Sequence, residues 1–230
     1  MKRFYTTVSV TDARGIMLDA RAVRTPKKVL LSVPTAALAA AIADEWRDQG
    51  DDIKPETMKL NGLASAAIDL VAPDPPGFAK GLAAYGENDL LCYRAEAPPD
   101  LVARQLAQWE PLLTWAQARY DLVFTRVTGI IHLPQPGKTI IGLAEAITAR
   151  TAFELAALSH LVTISGSLVI ALALAEAQIE ADAAFDVAHL DELWQAEQWG
   201  EDWMAADARA LRRADFLAAC RFLRLAGAAA

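Results

Sequence analysis

Leu155-Ala-Ala-Leu-Ser-His-Leu-Val-Thr-Ile-Ser-Gly-Ser-Leu-Val-Ile-Ala-Leu-Ala-Leu-Ala175 runs for 21 residues without Asp, Glu, Lys or Arg. That length is enough to span a bilayer. Its other features argue against insertion. Ser159, His160, Thr163, Ser165, Gly166 and Ser167 interrupt it, no Trp or Tyr marks either end, and no Lys or Arg follows closely. The stretch is therefore expected to be a buried helix, or two helices meeting at Ser165-Gly166-Ser167, inside a helical core. Thr151, just upstream, is placed to cap it.

Working outward, Asp182 onward has the pattern of helix almost to Leu225, with a break near Gly200. Upstream, Gly137 to Ala149 is helical, and Val123 to Leu133 is β-like and ends at Pro134. Asp100 can cap a helix running to Tyr120, which Pro111 should kink or break, because proline lacks the N–H and clashes with the preceding turn. Ala72-Pro73-Asp74-Pro75-Pro76-Gly77 is the best linker in the chain. Before it, Leu60 to Val71 aligns Leu63, Ala67 and Val71. A helix beginning after Pro34 aligns Leu38, Ile42 and Trp46 and stops by Gly50. The N-terminal stretch differs in period. Arg3 to Val10, Gly15 to Asp19 and Val29 to Val33 are strand-like, with turns at Asp12–Gly15 and Asp19–Arg21. The expected fold is α+β. Residues 1–76 form a small N-terminal domain of hairpin strands plus helices, and residues 77–230 form a larger all-helical domain.

Composition fits that division. The chain has 230 residues, 54% hydrophobic and 22% charged, and 48 of them are alanine, the best helix former. A net charge of -7 argues against nucleic-acid binding, which needs a basic face. Two cysteines, Cys92 and Cys220, make neither a disulfide framework nor a zinc quartet, and a reducing compartment is expected. No secretory or transit leader is recognisable at the start. The charge is uneven. Residues 151–208 carry 11 acids and no Lys or Arg, whereas residues 1–33 carry seven cations against Asp12 and Asp19. The acidic run is either ordinary solvated surface or a face that steers a basic partner.

Signatures of catalysis are absent from the sequence. There is no phosphate loop, no dinucleotide fingerprint, no H-E-x-x-H and no nucleophile elbow. Ser165-Gly166-Ser167 is better explained as a close approach of helices, and Cys92 as a packed thiol. The richest segment is Asp191-Glu192-Leu193-Trp194-Gln195-Ala196-Glu197-Gln198-Trp199-Gly200-Glu201-Asp202. On one continuous helix Asp191, Gln195, Gln198 and Asp202 would share a face, and Glu192, Trp199 and Trp203 an adjacent one. A di-iron site would need two E-x-x-H motifs, and His132, His160 and His189 supply none. Two interpretations remain open: a solvated polar helix whose tryptophans pack inward, or a protein-binding surface of tryptophan rimmed by charge.

Several segments together carry a family likeness. They are Arg3-Phe4-Tyr5, Leu18 to Pro26, Trp46 with Gln49-Gly50, Met58 and Leu60, and Tyr85-Gly86 through Asp89-Leu90-Leu91-Cys92-Tyr93-Arg94-Ala95. Gln105, Trp109-Glu110-Pro111-Leu112-Leu113, Ser165 to Leu168, and Leu190-Asp191-Glu192 through Asp202 extend it, in order, over nearly the whole chain. The chain thus resembles the assembly chaperones of the ATP synthase F(1) sector that handle the α subunit in mitochondria and α-proteobacteria. Ala20 stands where that pattern has glycine.

The resemblance implies a non-enzymatic chaperone without cofactor or metal. Such a protein binds the unassembled α subunit and prevents its aggregation, in the bacterial cytoplasm, or in the mitochondrial matrix for a eukaryotic mature form. Asp191, Glu192, Trp199, Glu201 and Asp202 are the expected partner-binding residues, because the densest acidic run, a tryptophan and much of the likeness coincide there. The competing function is a small carboxylate-dependent enzyme using Asp191 and Glu192 as acid and base.

Overall fold

The computed structural model describes residues 1–129 and 131–227. Ile130, inside the stretch expected to be β-like, lies outside the described residues. Helix far exceeds strand, as the α+β expectation requires. Contacts divide the chain into two compact units. One comprises Met1–Pro75, Thr151–Ala157 and the residues from Ala218 onward, and the other comprises Pro76–Arg150 and Leu158–Leu217.

In the first unit, β1 (Val8–Val10), β2 (Ile16–Leu18) and β3 (Arg21–Ala22) form an antiparallel sheet in sequence order. Ser9 faces Met17, and Met17 faces Ala22. The strand expected at Val29–Val33 is reduced to single bridges, Arg24 with Leu30 and Gly15 with Ser32. The tight turn before it, closed from Lys28 N–H to the Thr25 carbonyl with Lys28 left-handed at φ 66°, leaves too little straight backbone for a ladder. In the β2–β3 turn the left-handed residue is Asp19, at φ 51°, so alanine at position 20 is unstrained. The Asp19 carboxylate accepts from the amides of Thr7 (2.8 Å) and Thr6 (3.1 Å). Those bonds, with the Thr7 hydroxyl, hold its pKa down at about 2.

Helix α1 (Ala36–Arg47) starts where the period changes. The Thr35 hydroxyl accepts from Leu38 N–H and itself donates to the Leu225 carbonyl at 2.7 Å. The helix ends at Asp48, short of Gly50. Helix α2 (Lys59–Ala66) runs into a π-helical turn over Ala67–Val71, and Leu63, Ala67 and Val71 are all buried. In that turn Asp69 accepts from the Thr25 hydroxyl (2.6 Å) and Lys27 N–H (2.9 Å), tying the turn to the sheet. The segment expected to be a linker is itself partly helical. Helix α3 (Pro75–Ala83) begins within it, because the first turn of a helix tolerates proline.

In the second unit, helix α4 (Pro99–Tyr120) runs through Pro111 without a break. Pro111 and Ala107 are both exposed, so water can take the carbonyl that proline leaves unpaired. Short strands β4 (Tyr93–Arg94) and β5 (Val127–Thr128) pair in parallel, and α5 (Gly137–Thr148) follows. The long apolar stretch is two helices, α6 (Ala152–Ser165) and α7 (Leu168–Ala175), parted at Gly166 with φ 68°. Thr151 and Glu154 form a reciprocal capping box at the start of α6: Thr151 N–H donates to the Glu154 carboxylate (2.9 Å), and Glu154 N–H donates to the Thr151 hydroxyl (3.3 Å). Leu168 to Ala173 are wholly buried. Among the described residues no helix is long and apolar enough to cross a membrane.

The α6–α7 corner rests on a buried carboxylate. Asp89 accepts from the Ser167 hydroxyl (2.8 Å), Val169 N–H (2.9 Å) and Leu91 N–H (3.0 Å), and Leu90 N–H donates to the Gly166 carbonyl. Ser167 in turn caps Ile170 N–H. Burial raises the Asp89 pKa, and these donors oppose the rise. Removing the side chain strands several buried donors, at about 1–3 kcal/mol each. Asp89→Ala is therefore expected to lose about 3 kcal/mol of stability in a denaturant titration, against about 1 kcal/mol for Thr151→Ala, which removes one helix cap.

Candidate partner-binding site at the acidic corner

Beyond α6 and α7, the acidic run continues as α8 (Ala181–Ala188), α9 (Leu190–Trp199) and the start of α10 (Trp203–Gly227). The break expected near Gly200 is present, so no continuous helix carries the segment through Asp202. Gly200, at φ 91°, ends α9. Asp202 is instead the cap of α10, its Oδ1 accepting from Met204 N–H (2.9 Å) and Ala205 N–H (3.0 Å). Asp191 and Asp202 thus share no helical face. Each acidic residue sits at a different kind of position.

Asp191 points inward. It accepts from Gln105 Nε2 at 2.8 Å, and Gln105 Oε1 accepts from Ala95 N–H at 2.8 Å. Gln105 is buried, and its carbonyl receives Arg94 Nη1. Arg94 lies over the Trp109 ring and pairs with Glu110. Trp109 Nε1 donates to the Val187 carbonyl at 2.9 Å, which ties α4 to α8. Glu192 is also occupied: Arg209 reaches one oxygen at 3.1 Å and Arg212 the other at 2.6 Å. Arg209 further binds Glu201. Arg213 pairs with Asp182 and Asp186, each at 2.7 Å. On α9 Glu197 pairs with Arg104, and outside this corner Glu176 takes Arg119, Arg150 and the Tyr120 hydroxyl. Six of the run's eleven carboxylates are thus matched by arginines from outside the run. A sequence-local charge of -11 becomes a surface of mixed sign.

The tryptophans divide. Trp194 is buried, at 7% exposure, whereas Trp199 is 74% exposed, with the two rings edge to face at 5.7 Å. Packing inward is therefore correct for Trp194 and wrong for Trp199. Trp199 ends α9, where the Gly200 turn carries the chain away and leaves its outer face open to solvent. Glu201 and Asp202 flank it, both exposed.

The carboxylates are not arranged for acid–base work. Asp191 holds a glutamine, and Glu192 is clamped by two guanidinium groups. Among the described residues no group of three or more His, Cys, Asp or Glu is placed to hold a metal ion. Cys92 is fully buried, and burial, with Asp89 nearby, pushes its thiol up to about 12. Sequence reasoning missed the partners Gln105, Arg209 and Arg212, which lie 17 to 86 positions away.

The model of the ATP12 chaperone protein family matches residues 2–117. Atp12 from Paracoccus denitrificans is 38% identical in its crystal structure, over 98% of this chain and 98% of that one, with a TM-score of 0.92. The chain belongs to the ATP12 chaperone family. A mutant of the same Paracoccus protein superposes with a TM-score of 0.91 at 38% identity, over 98% of this chain and 97% of that one. The Atu1473 protein of Agrobacterium tumefaciens is 40% identical over 97% of this chain and 85% of its own, with a TM-score of 0.91. The resemblance to F(1)-sector assembly chaperones is thereby borne out at the level of the family. The ATP12 family model stops at residue 117, before the acidic corner, so its match does not cover the candidate site.

Three outcomes follow from the geometry. Glu192→Lys places a third cation beside Arg209 and Arg212, and it is expected to cost about 2 kcal/mol in a urea titration, between the exposed and buried ion-pair limits. Trp199→Ala, at an exposed position, should stay within about 0.5 kcal/mol of wild type. The third outcome concerns His189, which stacks on Phe185 at 3.9 Å between α8 and α9. Burial lowers its pKa from 6.5, with Arg212 and Arg209 adding to the effect. A depressed folded-state value means that its stabilising contribution is present above pH 6.5 and lost as pH falls below it. Thermal melts should drop between pH 7.5 and pH 5.5 by more in the wild type than in His189→Asn.

Proposed function

We propose that the chain is a chaperone for assembly of the ATP synthase catalytic head, binding the unassembled α subunit and preventing its aggregation. The observation that carries this reading is an exposed tryptophan, Trp199, flanked by Glu201 and Asp202, in a member of a chaperone family. An unassembled subunit exposes apolar surface that drives aggregation. A chaperone covers that surface and then yields to the proper neighbour, which calls for moderate affinity and release by partner exchange. The chain has no phosphate-binding loop to drive release by hydrolysis. Its place of work on this reading is the bacterial cytoplasm, or the mitochondrial matrix in a eukaryote.

Of the five expected docking residues, Trp199, Glu201 and Asp202 make direct contact with the client on this reading. Asp191 and Glu192 act one step back, as positioning residues: Asp191 seats α9 on Gln105, and Glu192 fixes α9 against the arginines of α10. Purified α subunit, made without its assembly partners, should stay soluble in the presence of the wild-type protein and co-elute with it. Trp199→Ala should weaken capture about tenfold or more while its melt changes little, and Glu201→Lys should weaken capture as much while losing about 1 kcal/mol of stability with its half-exposed pair to Arg209. Capture unaffected by both substitutions would remove these residues from the site. Failure of the wild type to capture α would remove the function.

A further inference from the structure

Next to Trp199, α10 begins with an uncovered apolar face. Trp203, Met204 and Leu211 are 72%, 63% and 68% exposed. At 100° per residue these three, with Ala208, fall on one side of the helix, and Asp207 is the acid among them. The opposite side is held down by Arg209 and Arg213 in their ion pairs and by Phe216, buried edge-on against Phe185. The exposed face is therefore fixed in place and cannot turn inward. From Trp203 to Leu211 it extends about 12 Å, slightly more than two helical turns. Three large apolar side chains at this exposure, beside Trp199, exceed the scattered apolar residues of an ordinary surface.

Charge decides what can cover it. Of the nearby acids, Glu197 and Glu201 are matched by Arg104 and Arg209. Asp202 caps α10 and Asp207 stands on the face itself, and neither has an ion-pair partner among the described residues. The patch therefore keeps a negative rim. A second copy of the chain would bring two such rims together, and an anionic bilayer would repel them. Two turns of apolar ridge with an acid between suit a helix whose apolar side chains recur every three or four residues and whose flanks are basic.

We propose that Trp203, Met204 and Leu211, together with Trp199, form a docking surface for a basic amphipathic helix of the client protein. The proposal rests on the chaperone reading and deepens it by naming the chemistry of the segment recognised.

The test uses the full chain and two peptides, one with leucine at helical spacing among lysines and its counterpart with glutamate for lysine. Wild-type tryptophan emission should shift to the blue with the lysine peptide as Trp199 and Trp203 leave water, and should not shift with the glutamate peptide. Trp203→Ala/Leu211→Ala should melt as the wild type does and bind the lysine peptide at least tenfold more weakly. Asp207→Lys, which leaves both tryptophans in place, should weaken it severalfold and flatten its salt dependence. Equal binding of both peptides, or binding that the substitutions leave unchanged, overturns the proposal. Dimerisation of the wild type that the double substitution abolishes, or its binding to phosphatidylserine vesicles, overturns it in favour of another occupant. The same variants tested against purified α subunit separate the two readings. Peptide binding without capture of α sinks the proposed client and keeps the surface. Capture of α that the double substitution leaves intact keeps the client and sinks the surface.

Discussion

Arg209, Arg212 and Arg213 on one helix meet Asp182, Asp186, Glu192 and Glu201 from the acidic run, and this pairing governs the C-terminal part of the chain. It orients α10 so that its apolar start faces solvent. It fixes α9 through Glu192, which leaves Trp199 at the end of a held helix rather than on a loose one. It also decides which acids remain for anything else. Individually such pairs contribute little where water reaches them. Their effect here is geometric, because each guanidinium fork donates to its carboxylates along a limited set of directions.

The same logic runs through the polar groups of the interior. Asp89 lies among apolar side chains and survives there because amide and hydroxyl donors converge on it. Gln105 bridges Ala95 and Asp191, and Trp109 reaches the Val187 carbonyl. These interior polar residues are therefore scaffolding. These residues set where α8, α9 and α10 lie, and the docking proposal depends on that placement. A substitution at Asp191 or Gln105 would disturb the corner through the hydrogen bonds that link α9 to α4 and Ala95.

Much of this architecture was legible in the chain itself. Period, capping residues and punctuation located most elements: the change of period after Pro34 before α1, the cap at Thr151, Gly166 between α6 and α7, and Gly200 after α9. These are local effects, settled within one turn of the backbone. Local rules also misled. Pro111 should have broken α4, but its lost hydrogen bond falls on an exposed face. The strand expected at Val29–Val33 gave way to the tight turn at Thr25–Lys28. At the β2–β3 turn the left-handed position went to Asp19, whose carboxylate gathers two backbone amides, and the absence of glycine at position 20 had no consequence.

The sequence by itself determined the α+β class, the burial of the long apolar stretch and the family resemblance, because patterning and ordered motifs are properties of the chain as written. It did not determine which acids are free or which tryptophan is exposed. Glu192 and Trp199 are seven positions apart and were expected on one docking face. The tertiary structure clamps Glu192 between two arginines 17 and 20 residues away and leaves Trp199 uncovered. Net charge over a sequence window is a sum along the backbone. Charge on a surface depends on which helices meet, and here arginines from outside the acidic run neutralised more than half of it.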